Sequence, residues 1–486
     1  MLAISKKLFD SWNHNNLKYC HWKSNEHLKE GLDGITDLDV LLDLKHKGIG
    51  HDLLNDCEFL ACSSQFGSRY PNVEDWIGFD RETGKLIHLH LHYRMITGHK
   101  GMKEYSLPWS DEVLSTRVVD ESTGVYISDP NYEILTLYTR FGLKAHYKQI
   151  KKSKYDSFSI GEDNIREIDY LKARVQWQKV AELLTCYYKS DANEVLRIMQ
   201  SNNISGTDFM ILKRLAEKNL KSCRRYSSLG VTLRTILYHS APRIQRLAKE
   251  LGYTLVTRKT PISRKAPIIT FMGQDGAGKS TVVKDIRKWL SWKLEVSQFY
   301  LGSGDHYQPW EKRLQNRLHG SNNPFAKLIC KWLPFSYLSK LGKNVYETIV
   351  KANKYANKGG IVLFDRYPQI QYVGINDGPK IRTSIMHHAK NVILYAIADF
   401  YAKREEKYLQ KAVAYSPDVV IKLMLTPEES IRRKPHEKYE AVKHKHEIIK
   451  SLKFDSAAVY TVDATQDYEK EILEIKKIIW RHILKS

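Results

Sequence analysis

The chain is short of cysteine, short of acid relative to base, and has no long apolar run. Its six cysteines (Cys20, Cys57, Cys62, Cys186, Cys223 and Cys330) are scattered over 486 residues with no C-x-x-C pair. That spacing argues against a cysteine-rich zinc site and against a disulfide framework, and it suits a reducing cytosol. No stretch approaches the roughly 18 apolar residues of a membrane span. The first residues lack the apolar core of a signal peptide. A cytoplasmic location is therefore expected, with peripheral attachment at a membrane as a second option. Only 55 acids face 77 lysines and arginines, for a formal net charge of +22. Such a balance attracts polyanions, whether nucleic acid, anionic lipid or a phosphorylated small molecule. A plain lysine-rich soluble surface is the alternative. At this length two or three domains are expected.

What the chain does contain is a complete G-x-x-x-x-G-K-S. It runs Gly273-Gln274-Asp275-Gly276-Ala277-Gly278-Lys279-Ser280 and is followed by Thr281. The apolar run Ile268 to Met272 leads in as a buried strand would, and Val282, Val283, Ile286, Trp289 and Leu290 lead out at helical spacing. Strand, glycine loop and helix together are the context of a phosphate-binding loop, or P-loop, rather than of a chance glycine turn. Glycines let backbone N–H groups close on a phosphate chain, and the helix N-terminus adds its positive end. Lys279 would reach the β- and γ-phosphates of ATP, and the Ser280 hydroxyl would hold Mg²⁺.

Further on, Gly302-Ser303-Gly304 ends a strand-like segment, Leu294 to Leu301. The apolar run Ile361–Phe364 ends in Asp365-Arg366-Tyr367-Pro368. A carboxylate at that strand end can belong to a metal shell, and a guanidinium can clamp phosphate; a salt-bridged strand end is the plain alternative. Pro417 to Leu425 is another buried strand, and Thr426-Pro427 then starts a helix by cap and first-turn logic. Arg432-Arg433 at its end can fold over transferring phosphates, or serve only as helix C-terminal basicity. Val459 to Ala464 forms the last strand, carrying Asp463.

Residues 266–486 resemble the thymidylate kinase-like branch of P-loop kinases. The match is carried by Gly273–Thr281, Asp365-Arg366-Tyr367, Pro417–Ile421 with Thr426–Glu429, and Val462–Thr465, in that order. The resemblance implies a parallel sheet with helices on both faces and ATP·Mg²⁺ as cofactor. It implies that Asp275 and Arg366 face the phosphoryl acceptor, that Arg432 and Arg433 belong to a lid, and that the Asp463 loop lies by the adenine. Met272 stands where housekeeping thymidylate kinases carry an acid. Asp377-Gly378-Pro379 and Arg433-Lys434-Pro435 with Lys443 and Lys445 look like divergent members associated with surface-polysaccharide genes. The expected acceptor is accordingly a nucleotide or a small phosphate- or hydroxyl-bearing molecule, a sugar or alditol included.

Near the N-terminus, Gly34-Ile35-Thr36-Asp37-Leu38-Asp39 puts two carboxylates on one strand face. Paired carboxylates of this kind hold Mg²⁺ and a triphosphate in nucleotidyl transfer; a half-exposed strand after a turn is the alternative. Lys85 to Arg94 alternates strictly, so His88, His90 and His92 share a face, which allows either a zinc site or a polar groove wall. This region resembles divergent nucleotidyltransferase-like domains, with Asp37 and Asp39 matching the metal pair and His90 where a third acid is expected. The implied fold class is α/β overall. An α+β nucleotidyltransferase-like domain (1–130) carries a helical extension (131–221), then a basic helical linker (222–265) leads to the P-loop domain (266–486). The stretch from Lys148 to Gly161 reads as a loop. The linker holds ten lysines and arginines and one acid, with a stripe of Leu233, Ile236, Leu237, Ile244, Leu247 and Leu251 broken near Pro242. It fits a packed connector, an anionic membrane surface or nucleic-acid phosphates. A nucleotide-sensing binding or defence protein, engaging nucleic acid or membrane through this basic surface, is the rival to a kinase.

Overall fold

The computed structural model describes all residues except 64–69, 100, 145–160, 251–260, 263, 302–309, 320–322, 375–376, 386–391 and 486. The expected loops at 302–304 and 148–160 therefore lie outside the described residues, as do Leu251, Arg258 and Lys259 of the linker. The chain divides into two compact units, Met1–Thr260 and Pro261–Ser486.

In the first unit, β1 (Tyr19–His21), β2 (Leu38–Leu42), β3 (Leu60–Cys62), β4 (Val73–Phe79) and β5 (Leu86–His92) join a mixed sheet. The hairpin β6 (Ile96–Thr97) and β7 (Tyr105–Ser106) stands apart, and β8 (Val118–Val119) and β9 (Tyr126–Ile127) close the sheet. Its strand order is β3-β4-β5-β2-β1-β9-β8. Strand β2 pairs parallel with β5, while β4 and β5 are antiparallel across the turn Asp80–Lys85. Apolar residues of β2 pack on one face with Leu8, Phe9 and Trp12 of the helix Ala3–His14. A bundle follows. Asp129-Pro130 opens a helix, Pro130–Lys144, and further helices span Glu162–Lys172, Trp177–Tyr188, Ala192–Gln200 and Gly206–Asn219. Ser205 and Asp208 cap the last of these reciprocally. The buried Tyr138 hydroxyl donates to Met199 O (3.2 Å), tying the bundle together. The helix Ser228–Glu250 runs on through Pro242 without interruption.

In the second unit, β10 (Ile268–Gly273), β11 (Val296–Phe299), β12 (Ile361–Phe364), β13 (Val419–Met424) and β14 (Ala458–Asp463) form an all-parallel sheet in the order β11-β12-β10-β13-β14. The strands read as near-continuous apolar runs because both faces are covered. Period-two geometry puts Ile268 and Met272 on one side, packed with residues of the helices Pro324–Ala356 and Tyr439–Ser451. The helices Lys279–Leu290 and Tyr468–Lys485 take the other side. Met272, where the resemblance would put an acid, is a core residue in this arrangement, packed with Val420, Ile448 and Leu452. Ile262 and Lys265 of the expected linker are built into this unit. Ile262 N donates to Gly359 O (2.9 Å), and Lys265 pairs with Asp418 (3.1 Å).

Candidate active site

The glycine loop leaves the carboxyl end of β10. Its exit helix leads to β11 on one side, whereas the neighbouring β13 leads through the helices Pro427–Arg433 and Tyr439–Ser451 to β14 on the other. Adjacent strands whose connections diverge in this way open a crevice at their carboxyl ends. A Cβ at Gly273 would come within 2.6 Å of Leu423 O, so only glycine lets β10 and β13 close here. Gly276 and Gly278 hold positive φ (86° and 75°), and Gly278 caps the helix that starts at Lys279.

Lys279 Nζ donates to Gly273 O (2.8 Å) and Gln274 O (2.7 Å). Burial, seconded by Arg366 and Lys434, holds its ammonium pKa below the usual value against the pull of Asp275 and Asp365. Gln274 is buried: its Oε1 accepts from Leu425 N (3.0 Å), so its side chain braces the crevice and leaves only its backbone for a phosphate. Ala277 is buried, while Ser280 and Thr281 are exposed on the first turn. Asp275 pairs with Lys445 (2.8 Å), whose hydrogen bond keeps the carboxyl below its ordinary range. Asp275 is thus engaged from the helix beyond the lid, a partner no local pattern announces.

Asp365 follows β12, the strand beside β10. It is buried, its Oδ1 has no hydrogen-bond partner, and burial raises its pKa. Arg366 Nε approaches that oxygen only to 3.9 Å, and a buried carboxylate oxygen left without a hydrogen bond is costly and fits a cation ligand. Together with the exposed Ser280 hydroxyl it makes an oxygen donor set that suits Mg²⁺. Arg366 lies 3.6 Å from Asp377 and against the Tyr300 ring (6.0 Å). These three line a cleft with Leu338, Lys380 and Glu405. The buried Glu405 accepts from Lys380 N and Ile381 N (3.1 and 3.0 Å), which fixes that wall.

The two lid arginines separate. Arg433 donates to Gly276 O (3.3 Å) and Ala464 O (3.1 Å), bridging the glycine loop and the end of β14. Both pair with Glu429 of their own helix (2.7 Å from Arg432, 2.8 Å from Arg433), but among the described residues Arg432 makes no further ion pair, and its side chain is 78 % exposed. The helix itself begins as expected, Thr426 Oγ1 accepting from Glu429 N (3.2 Å). Asp463 ends β14 in a turn, accepting from Thr465 N (2.8 Å).

In the first unit the sheet brings the N-terminal candidates together. Strand register sets Asp39 beside His90 on one side and Asp75 beside it on the other. A further carboxylate, Asp75 on β4, thus lies beside His90 on the side away from Asp39. The Asp80–Lys85 turn contained the signal: counting back along the hairpin puts Asp75 opposite His90. His88 bridges Asp37 (Nδ1, 2.9 Å) and Asp75 (Nε2, 3.1 Å). His90 lies 3.1 Å from Asp75 and 3.5 Å from Asp39, and His92 lies 3.2 Å from Asp39. Lys23 completes the row at 2.7 Å from Asp39. Burial works against a charge on His90, but its hydrogen bonds to Asp39 and Asp75 prevail and push its pKa up to about 9. Burial opposes ionisation of Asp39, yet Lys23 and the histidines hold its carboxyl well below the ordinary range. Burial likewise carries His92 down to about 3, despite Asp39. Lys103, lowered to about 8 by burial and by Lys23, and Lys144, lowered to about 7 by Arg140 and burial, make a basic margin to the same row.

A parallel sheet with a glycine loop and helix N-terminus at its diverging edge makes the second unit a P-loop α/β domain. Among known proteins, the chain is 26% identical over 226 residues to the uncharacterized ATP-binding protein YghR of Escherichia coli (strain K12), a match covering 44% of this chain and 86% of that one. It is 23% identical over 243 residues to the uncharacterized ATP-binding protein YghS of the same strain, covering 45% and 92%. A solved deoxyadenosine kinase from M. mycoides with bound dATP overlaps 44% of this chain and 98% of its own, at 18% identity and a TM-score of 0.27. No family model matches.

Proposed function

We propose that the chain is an ATP- and Mg²⁺-dependent phosphotransferase of the thymidylate kinase-like type, acting on a nucleotide or on a small phosphate- or hydroxyl-bearing acceptor such as a sugar or alditol. The observation that carries this reading is the buried Asp365 Oδ1 on the strand beside the glycine loop, which has no hydrogen bond and meets Arg366 Nε only at 3.9 Å, with Arg366 itself lining a cleft. A loop that only held a phosphate chain has no need of a buried, unsatisfied carboxylate. The names of the two E. coli relatives, both ATP-binding proteins, support ATP as the donor.

In this reading Lys279, the loop amides and Arg433 neutralise the phosphate chain as charge spreads over the transferring group. Ser280 and Asp365 would hold Mg²⁺, which when bound screens the phosphate oxygens. Arg366, steadied by Asp377, orients the acceptor. The acceptor oxygen forms its bond to the γ-phosphorus as the bond to the β–γ bridging oxygen breaks, and ADP leaves. An acceptor hydroxyl releases its proton to solvent water; an acceptor phosphate dianion has none to lose. Catalysis is positioning and electrostatics, so no covalent nucleophile is needed.

The test is incubation with ATP·Mg²⁺ and a panel of dTMP, other nucleoside monophosphates, nucleosides, sugars, alditols and short oligonucleotides, read by phosphorus NMR. Lys279→Ala is expected to remove all product while the circular dichroism spectrum is unchanged. No ATP-dependent product on any acceptor, with polyanion binding that falls steeply with salt, would favour the rival sensing protein.

The same proposal gives the helix Ser228–Glu250 an anionic lipid surface as its partner, with the enzyme otherwise in the cytoplasm. Thr235 reaches Met102 Sδ (3.3 Å), and the Tyr238 ring packs against Gly101, so this side of the helix is turned inward. Leu229, Leu233, Ile236, Leu237 and Ile244 point outward at 50–75 % exposure, and Arg234 and Arg243 flank them. Apolar residues outside and arginines beside them match a lipid interface.

A further inference from the structure

The phosphotransferase reading leaves the carboxylate–imidazole row of the first unit without a role. We propose that Asp37, His88 and His90 form a binding site for a divalent transition metal, represented by Zn²⁺. The donor atoms of these three residues lie within 4.8 Å of one another, close enough to share one ion. Strand geometry accounts for the convergence. Asp39 pairs with His90 across β2 and β5, so Asp37, two residues earlier, meets His88, and the period of two puts all four on one face.

Asp75 decides which nitrogens face the ion. Its Oδ1 lies 3.1 Å from Nε2 of both His88 and His90, so it holds both rings from the β4 side. The Nδ1 atoms are then turned toward β2, where Asp37 Oδ1 is 2.9 Å from His88 Nδ1. A carboxylate behind a ligating imidazole fixes its tautomer and strengthens it as a donor, and Asp75 does this for two rings at once. Asp39 is excluded as the principal anionic ligand, because Lys23 (2.7 Å) and His92 (3.2 Å) already occupy it.

The donor chemistry sets the class of ion. Two imidazoles and one carboxylate favour zinc and its first-row neighbours, whereas Mg²⁺ prefers oxygen ligands and keeps its water. The Asp37 side chain is 29 % exposed, so the site has a route to solvent and room for water or substrate oxygen. This site therefore differs from a carboxylate-only Mg²⁺ centre, and it stands or falls independently of the P-loop.

The test is a calorimetric titration of the full-length protein, stripped by chelator and free of nucleotide, with Zn²⁺ alone, and a parallel Co²⁺ titration followed by visible absorption. One equivalent of Zn²⁺ and Co²⁺ bands of a mixed nitrogen–oxygen site are expected. The His88→Ala/His90→Ala double variant should bind at least tenfold more weakly, and Mg²⁺ at equal concentration should not displace the ion. No uptake by the wild-type chain, uptake unchanged in the double variant, or ready displacement by Mg²⁺ would each overturn the proposal. His88 is buried, so the double variant can fail to fold. In that case Asp37→Asn, with a native circular dichroism spectrum, takes its place: weakened uptake supports the site and full uptake refutes it.

Discussion

Asp365 meets two opposed demands. As a buried ion whose Oδ1 has no hydrogen bond and only a long contact to Arg366 (3.9 Å) it weighs against stability, yet that oxygen is what Mg²⁺-dependent phosphoryl transfer needs. Asp365→Asn is expected to lower turnover by about 100-fold or more, the scale of losing one group that meets transition-state charge. Its melting temperature should be equal to or above that of the wild type, because a burdened charge is gone. A large fall in melting temperature would mean that Asp365 is only a strand-end ion. Glu133 gives a second residue-scale expectation. Burial raises its pKa from 4.5 to about 7, although Asn25 N (2.8 Å) and the Asn25 side chain donate to it. The folded chain therefore holds this proton more tightly than the unfolded chain. The stability it contributes is complete below about pH 4.5 and is lost as pH rises through about 7, on the order of 3 kcal/mol in all. Urea titrations of wild type and Glu133→Gln between pH 4.5 and 8 check this. The variant should show the flatter profile, and matching slopes would contradict the assignment.

At the scale of elements, what was legible depended on how local the signal was. The P-loop strand, loop and helix were readable because continuous apolar burial and glycine spacing both lie within one short stretch. The Thr426-Pro427 helix start was legible for the same reason. Strand β4 was not, since Val73–Phe79 is buried along most of its length and shows no clean alternation. Asp75, which lies on it beside His90, was therefore hidden as well. The Asp275–Lys445 and Arg433–Ala464 links join residues far apart in sequence, and only the folded sheet edge brings them together. For the helix Ser228–Glu250, the stripe was legible, but Pro242 was given too much weight: the helix continues through it. Its orientation, apolar side outward, was not legible at all. Leu233→Glu/Ile236→Glu should abolish sedimentation with phosphatidylserine vesicles and leave phosphoryl transfer in solution unchanged. Equal sedimentation of this variant and wild type would remove lipid as the partner.

For the whole molecule, the chain divides into two compact units, Met1–Thr260 and Pro261–Ser486, and each has its own sheet and core. A fragment 261–486 is accordingly expected to unfold cooperatively by itself and to retain the ATP-dependent activity. Non-cooperative melting of the fragment would show that the core is incomplete without the preceding residues. The central claim, phosphoryl transfer at the glycine loop, is tested most directly by phosphorus NMR of the full chain with ATP·Mg²⁺ and the acceptor panel. The prediction is ADP together with one newly phosphorylated acceptor from the wild type, and neither from Lys279→Ala. Equal product from both proteins, or none from the wild type with any acceptor, would contradict it.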